Sequence, residues 1–178
     1  MSDSRKNGRQ NCHRNVFHGL SVGTDEPRLV DEYIDAHDFT ENTCEAIRND
    51  LRKFARWFAT ANAEPLRFER VTVRDVVDFR RHLHQEKQQA VATCNRALVS
   101  IRRLFSYLVQ TGAVKSNPAD QVKELRKTDL PPNGLDRSTV RKLLRQVELQ
   151  GDVRANAIFH LMLYTGARVG DVVYLDLS

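Results

Sequence analysis

Apolar residues return at every third or fourth position through most of the chain, a spacing that predicts amphipathic helices rather than strands. A first helix is predicted to end near His37. A second begins behind Thr40, a good N-cap residue, and keeps its apolar stripe from Ile47 to Ala61. These two helices open a region, residues 25–126, that we predict to be almost entirely helical.

Further helices complete this region. Thr72 and Asp75 have the spacing of a capping box, with Asp where Glu is usual, and predict the start of a third helix. A fourth is predicted to begin near Thr93 and to end at Gly112, because glycine readily adopts the conformation that closes helices. A short fifth helix is predicted from position 117, where Asn and Pro stand at the N-cap and the first helical position.

The ends of this region are marked by changes in composition. Residues 1–24 have no helical or strand period and are rich in Asn, Ser, Gly and Arg, which predicts a disordered arm. Residues 127–134 hold two prolines and a glycine in a polar stretch and predict a linker between domains. Beyond it, Asp136 caps a predicted helix, residues 153–165 form a strongly apolar one, and a last helical turn is predicted over 167–173.

Charge adds a candidate partner to this picture. The 178 residues carry a net +5, and 21 of the 28 cations are Arg, whose planar guanidinium suits phosphate. The charge is unevenly placed, because residues 25–45 carry −7 whereas 46–95 carry +4 and 96–127 carry +5. A basic excess on helices in the middle of the chain indicates a contact with a polyanion.

The sequence shows no pattern typical of a membrane protein, a secreted disulfide-rich protein or a metal- or nucleotide-binding enzyme. No apolar stretch is long enough to span a bilayer, and no apolar stretch follows the basic N-terminus as in a secretory signal. Three widely spaced cysteines, Cys12, Cys44 and Cys94, argue against a disulfide framework and for a reducing, cytoplasmic compartment. No glycine-rich phosphate loop, Ser/His/Asp arrangement or zinc-ligand spacing is present, so we expect no metal and no cofactor.

The most informative segment is LMLYTGARVGDVVYL at residues 161–175. Gly166 ends the apolar helix and lets the next one begin at an angle, which places Arg168 at the junction, where its head can project into a cleft. Asp171 follows three residues later and can hold the guanidinium on the same helical face. Taken alone, the pattern is equally typical of a surface Arg–Asp pair.

This segment resembles the first catalytic box of the tyrosine site-specific recombinases, the phage-integrase and Xer-like family, which typically reads LLLYTGLRISELLxL. Earlier segments resemble the family in order and spacing: FTENTCEAIRNDLRKFARW at 39–57 and NRALVSIRRLFSYL at 95–108 are similar to helices of its core-binding domain, NP at 117–118 to the start of that domain's last helix, and LDRSTVRKLL at 135–144 to the opening of its catalytic domain. The resemblance covers about residues 27–178. Ile47 stands where the family often has Tyr, and Gly170 where Ser is more usual.

The resemblance implies an all-α protein. An orthogonal helical bundle, the SAM-like core-binding domain of four to five helices, would occupy residues 25–126, followed by the linker at 127–134 and the first helices of an incomplete, mainly α catalytic domain at 135–178. The family's later catalytic positions, including its Tyr nucleophile, are missing from the 178 residues, and Tyr174 is not in the nucleophile's place. We therefore expect this chain to bind DNA without cleaving it.

In the family, two domains close around duplex DNA, and a tyrosine attacks the scissile phosphodiester without metal or nucleotide cofactor. The resemblance makes Arg168 the first phosphate-stabilising catalytic arginine, with Asp171 as its orienting carboxylate. It also makes the basic helical faces DNA contacts. The expected DNA-binding residues are Thr40, Thr43, Arg48, Arg52, Arg56, Arg96, Ser100, Arg103, Lys123, Arg126 and Lys127. The alternative for several of the arginines is a solvated pair with Asp50 or Glu45.

The function implied is that of the DNA-binding N-terminal part of a tyrosine recombinase or integrase, acting in DNA integration and site-specific recombination. Its expected partner is double-stranded DNA at a recombination site, with self-association on DNA in the full-length protein, no membrane and no small-molecule cofactor, in the cytoplasm at the nucleoid. A free-standing helical DNA-binding regulator without recombinase activity is the alternative. A helical adaptor that uses the acidic residues 25–45 is a third hypothesis.

Overall fold

The computed structural model describes residues 16–126 and 134–175, and the chain divides into two compact units, Met1–Thr128 and Asp129–Ser178. The helices described in the first unit are α1 (Glu26–Asp35), α2 (Glu41–Asn62), α3 (Val73–Arg81) and α4 (Val91–Gln110), with a 3-10 turn at Phe68–Arg70 and a π-helical turn at His82–Glu86. Those of the second unit are α5 (Arg137–Leu149), α6 (Val153–Thr165) and α7 (Val169–Val173).

The prediction of an all-α protein is confirmed. Apart from one isolated bridge between Val22 and Leu66, the described residues form no β-structure. The described part of the first unit has four α-helices, the lower of the two numbers predicted for the core-binding domain.

Side-chain caps explain where α2 and α3 begin. The Thr40 hydroxyl accepts a hydrogen bond from the Thr43 N–H at 3.4 Å, so Thr40 is the N-cap of α2. At α3 the Thr72 hydroxyl accepts from the Asp75 N–H at 3.3 Å, while the Asp75 carboxylate accepts from the Thr72 N–H at 2.8 Å. Both predicted helix starts are confirmed, because the caps satisfy amides that the helix itself leaves without partners.

The core of the first unit forms where α2 packs against α4. Phe54 of α2 is almost fully buried and meets Phe79 of α3 edge-on, with ring centroids 5.1 Å apart. Phe105 of α4 meets Phe68 in the same way at 5.6 Å. Each fully buried phenylalanine contributes about 1.5–3 kcal/mol. These rings belong to one core that the two long helices share, and the packing of α2 on α4 sets the relative position of their outer faces.

The segment before α1 packs onto the fold, which corrects the prediction of a disordered arm for residues 16–24. Val16 and Phe17 are buried, the Gly23 N–H donates to the Leu66 carbonyl at 2.8 Å, and the Leu66 N–H donates to the Ser21 carbonyl at 3.1 Å. Residues 16–24 lack periodicity because they pack as an irregular segment and not because they are unstructured. The rest of the predicted arm lies outside the described residues.

Residues 117–122 form turns, so the predicted fifth helix is wrong. The Asp120 N–H donates to the Asn117 carbonyl at 3.4 Å and the Val122 N–H to the Ala119 carbonyl at 3.2 Å, both three residues apart. From α4, the Arg102 guanidinium donates to the carbonyls of Ala119 at 3.2 Å and of Val122 at 2.8 Å. An Asn–Pro pair also begins turns, and Arg102 satisfies carbonyls that a helix would have bonded internally.

The second unit has well-defined helix ends and little buried surface. Asp136 is the N-cap of α5, where its carboxylate accepts from the Thr139 N–H at 2.6 Å, and Gly166 closes α6 in the left-handed conformation at φ +70°. The predicted last turn is α7, which begins two residues later than expected. No residue of α6 is buried, and Val147 of α5 is the one buried hydrophobic residue among those described here.

Candidate nucleic-acid interface

A groove lies between α2 and α4 in the first unit. It consists of two adjoining hollows, and Ala46 and Arg96 line both. The first hollow is also lined by Asn42, Thr43, Ile47, Val99, Ser100 and Arg103, and the second by Asn49, Arg52, Lys53 and Arg56. Since positions three or four apart share a helical face, one face of each helix lines the groove, with the apolar Ala46, Ile47 and Val99 among its polar side chains.

The structure therefore brings together six of the residues predicted to bind DNA. They are Thr43, Arg52, Arg56, Arg96, Ser100 and Arg103. The first and last of these residues are 60 positions apart in the sequence, and only the packing of α2 on α4 makes them neighbours. With Lys53, the groove is lined by five cations.

A buried carboxylate, that of Asp50, is bonded to two residues that line this groove. Asp50 is fully buried, and its Oδ1 accepts from Arg96 Nη2 at 2.9 Å while its Oδ2 accepts from the Ser100 hydroxyl at 3.1 Å. Lys53 Nζ lies 3.8 Å from Oδ1. Asp50 thus joins α2 to α4 through charge-assisted hydrogen bonds, and the pair with Arg96 is the one that the sequence left open as an alternative to DNA contact.

The two arginines of α2 that line the groove differ in how firmly they are held. Arg52 is half-buried, and it donates from Nε to the Val16 carbonyl at 2.7 Å and from Nη1 to Asn49 Oδ1 at 3.2 Å. Arg56, one turn further on, is exposed. The segment before α1 therefore orients one groove arginine and leaves the next one open to solvent.

Arg103 extends the positive charge of α4 toward an aromatic cluster. The ring of Tyr33 meets those of His37 and Tyr107, with centroids 4.8 Å and 5.5 Å away. Burial raises the pKa of Tyr33, and the positive charge of Arg103 partly offsets that effect. Arg103 itself is exposed, so its guanidinium is accessible from the groove.

The N-terminus of α2 carries the two predicted threonines. Their hydroxyl oxygens, Thr40 Oγ1 and Thr43 Oγ1, lie 2.8 Å apart and hydrogen-bond to each other. Thr43 lines the groove, whereas Thr40 acts as the helix cap.

Arg48 is buried, whereas the sequence predicted it to be a DNA contact on the surface. It is 5% exposed, and its Nη2 lies 4.0 Å from Asp31 Oδ1 on α1. Arg48 lies one turn before Arg52 on α2, and because it is buried beside Asp31 of α1 its charge is used within the fold. The expectation that Arg48 contacts DNA is corrected accordingly.

The predicted contacts after α4 lie on an irregular segment. Lys123 and Arg126 are exposed, and the Lys123 carbonyl accepts a hydrogen bond from Arg80 of α3. Asn95 anchors the same segment, because it exchanges two hydrogen bonds of 2.8 Å with the backbone of Leu125. Lys127 lies outside the described residues.

In the second unit Arg168 is exposed and is the N-cap residue of α7. The Asp171 carboxylate accepts from the backbone N–H of Arg168 at 3.1 Å. No ion pair joins the two side chains in the part of the chain described. Asp171 therefore orients the backbone at Arg168 through a cap, and its expected hold on the guanidinium stays a prediction.

Sequence reasoning missed three polar members of the groove, Asn42, Asn49 and Lys53. The signal was present, because Asn42 and Asn49 are seven residues apart and Lys53 and Arg56 continue the same stripe. Asp50 was considered only as a partner for surface arginines, since a sequence does not show that a carboxylate will be buried.

The described residues also bear on metal binding and on membrane insertion. They contain no group of three or more His, Cys, Asp or Glu side chains arranged to hold a metal ion. Among them there is also no helix with the length and hydrophobicity required to cross a membrane.

Residues 29–112, which run from α1 to just beyond α4, match the family model described as phage integrase, N-terminal SAM-like domain. The chain is 31% identical over 160 residues to tyrosine recombinase XerD of Shewanella oneidensis, an alignment that covers 84% of this chain and 51% of that protein. Together these matches support the assignment of this chain to the tyrosine recombinase family. The resemblance and the SAM-like fold class predicted from the sequence are thereby confirmed.

Other relatives match over a similar range. The chain is 26% identical over 148 residues to tyrosine recombinase XerC of Roseiflexus sp., with 81% of this chain and 46% of that protein aligned. It is 26% identical over 156 residues to tyrosine recombinase XerD of Vibrio cholerae, with 84% and 50% aligned. The chain thus spans about half the length of the curated relatives it matches. No solved structure is significantly similar to it.

Proposed function

We propose that this chain is the DNA-binding N-terminal part of a tyrosine recombinase that acts in DNA integration and site-specific recombination. Its groove between α2 and α4 contacts the backbone of duplex DNA. The observation that carries this proposal is the concentration of five cations on one groove of the SAM-like domain, which are Arg52, Lys53, Arg56, Arg96 and Arg103. Phosphate is the ligand that such a density of guanidinium groups favours.

The groove also has the chemical variety that a DNA contact requires. Arg56 and Arg103 are exposed cations for phosphate oxygens, whereas Asn42 and Asn49 supply amide groups that can hydrogen-bond to sugar or base edges. Thr43 adds a hydroxyl near the N-terminus of α2, where the helix dipole favours an anion. Lys123 and Arg126, which are exposed on the segment after α4, add two further cations to the proposed contacts.

Arg168 belongs to the chemical step of the same proposal. A guanidinium at the start of α7, with its backbone oriented by Asp171, can bind the non-bridging oxygens of a phosphodiester. Such an arginine stabilises the transition state more than the bound ground state. The 178 residues alone bind DNA and do not cleave it, since they offer no tyrosine at the family's nucleophile position. Self-association on the recombination site and location at the nucleoid complete the proposal for the full-length protein.

The proposal is tested by titrating the chain with duplex DNA at several salt concentrations. Binding is expected to weaken as salt rises, because neutralised phosphates release counterions. In the double variant Arg56→Gln with Arg103→Gln, the slope of log affinity against log salt should become shallower by about 1.8, at about 0.9 for each lost contact.

A matched control removes the same charge elsewhere. Arg74 and Arg81 of α3 both pair with Asp78 and do not line the groove, so Arg74→Gln with Arg81→Gln should leave the slope unchanged. Equal effects of the two double variants would overturn the assignment to the groove. A covalent adduct between the 178-residue chain and a nicked suicide substrate would overturn the statement that it does not cleave.

A further inference from the structure

Asp50 is buried and bonds to two residues that line the groove, Arg96 and Ser100, and its surroundings show how its negative charge is stabilised. Its carboxylate is fully buried and is bonded by Arg96 Nη2 at 2.9 Å and by the Ser100 hydroxyl at 3.1 Å, with Lys53 Nζ at 3.8 Å. A carboxylate in such a place is costly unless it is paired and hydrogen-bonded. The network meets that requirement with one cation from each helix.

Arg96 is held by this network and remains accessible. Its side chain is 52% exposed although one guanidinium nitrogen is bonded to Asp50. A guanidinium has five N–H donors in a fixed plane, so a single bond to Asp50 leaves other donors for a ligand while it restricts the side chain's rotation. In the described residues Asp50 is the hydrogen-bond partner of Arg96.

We propose that Asp50 is a positioning residue for DNA binding, which holds the Arg96 guanidinium over the groove in the orientation that receives a backbone phosphate. This inference rests on the proposed function of the groove. A free arginine loses rotamer freedom when it binds, whereas Arg96 has lost much of it in the folded protein already, so less affinity is lost on binding.

The sign of the effect separates this inference from simple charge. A negative charge next to a phosphate site repels DNA, so its removal should tighten binding if Asp50 acts only through its field. If Asp50 acts by holding Arg96, its removal should weaken binding in spite of the more favourable net charge. The two accounts therefore predict opposite changes in the dissociation constant.

The experiment is a double-mutant cycle in the full chain with a fixed duplex at one salt concentration. Asp50→Asn is expected to weaken binding about three- to tenfold, the range that corresponds to ordering one arginine side chain. Arg96→Gln should weaken it at least as much, and Asp50→Asn should add nothing in the Arg96→Gln background. Unchanged or tighter binding by Asp50→Asn, or additive effects of the two substitutions, would overturn the inference.

Asp78→Asn is the matched control. Asp78 is paired with Arg81 at 3.1 Å on α3 and lies outside the groove, so the same chemical change should leave DNA affinity unchanged. Arg96→Lys covers the case in which Asp50→Asn does not fold. It keeps the charge and leaves Asp50 in place, but lysine lacks the planar fork, and about threefold weaker binding is expected. Binding by Arg96→Lys equal to that of the unsubstituted chain would contradict the inference.

Nuclear magnetic resonance of the free protein separates this inference from the proposed function. Restricted rotation of the Arg96 guanidinium should be visible in the unsubstituted chain and lost in Asp50→Asn, with no DNA present. Identical guanidinium signals in both proteins would overturn the positioning role while the groove's DNA affinity still stands. Absence of DNA binding by the unsubstituted chain would overturn the proposed function and, with it, any role of Asp50 in binding DNA.

Discussion

The two units of the chain are both helical, but they differ in what holds them together. In the first unit the helices enclose a continuous core that includes Phe54, Phe79 and Phe105, whereas the described part of the second unit buries one hydrophobic side chain, Val147. The apolar helix α6 has no buried residue, and Tyr164 on it is 79% exposed. Among the described residues, apolar composition therefore forms helices in both units but an extended core only in the first.

This difference has a consequence for function. The groove lies on helices whose relative positions are set by a packed core, which suits an interface that must hold several cations in place before DNA arrives. Arg168 is exposed on a short helix whose described environment is local, consisting of a turn and a cap. We expect substitutions in the two units to act on different properties.

The largest expected difference concerns core truncation. Phe54→Ala should lower the free energy of unfolding of the first unit by about 3–5 kcal/mol, because it removes a buried ring from between α2 and α3. The single tryptophan, Trp57, packs against Phe79 and reports unfolding of this unit in urea.

Phe159→Ala is the matched control in the second unit. Phe159 is 37% exposed, and its truncation should change the Trp57 unfolding transition by no more than about 0.5 kcal/mol. A shift as large as that of Phe54→Ala would mean that the two units unfold together.

The next effect concerns a helix cap. Thr72→Ala should lower the free energy of unfolding by about 1 kcal/mol, since it removes half of the capping box of α3. Thr60→Ala is its control, because the Thr60 hydroxyl only bonds the Arg56 carbonyl within α2 and alanine is the better helix former. A control variant as destabilised as Thr72→Ala would contradict the role of the cap.

Low pH should destabilise the start of α5 in the second unit, because it protonates the N-cap residue Asp136. Hydrogen bonds from Thr139 and Ser138 hold the pKa of Asp136 below its ordinary value of 3.8. A lowered pKa means that the cap contributes stability above the ordinary value and that this contribution is lost as the pH falls through the lower, folded pKa.

The Thr139 amide resonance should therefore titrate with a midpoint below 3.8. Asp136→Asn keeps a good cap and removes the titrating group, so the same resonance should stay flat over this range. A midpoint at or above the ordinary aspartate value would contradict the structure at the start of α5.

The smallest expected effect concerns Arg168. Arg168→Gln should change the equilibrium affinity for duplex DNA by no more than about twofold, because its proposed contribution is to the transition state. The same titration used for the groove variants measures it. A loss as large as that of Arg56→Gln with Arg103→Gln would place a principal DNA contact in the second unit and remove the contrast between the two.

Local signals determined much of this protein from the sequence alone. The caps at Thr40 and Thr72, the closing Gly166 and the helical spacing between them act within a few residues, so helix starts and ends could be predicted without knowledge of the fold. The resemblance to tyrosine recombinases also rests on linear order, and the family match confirms it. The turns at 117–122 were missed because Arg102, which satisfies their carbonyls, lies on another element.

Tertiary structure alone decided which charged residues face outward and which lie together. Arg48 and Arg52 are the same residue type and lie one helical turn apart. Arg48 is nevertheless buried beside Asp31, whereas Arg52 lines the groove. Asp50 and Arg96 are 46 residues apart in the sequence, and they form a hydrogen bond only because α2 packs against α4. Periodicity determines which side chains share a face of one helix, whereas the partner of that face, and hence burial and pairing, depends on contacts that are distant in sequence.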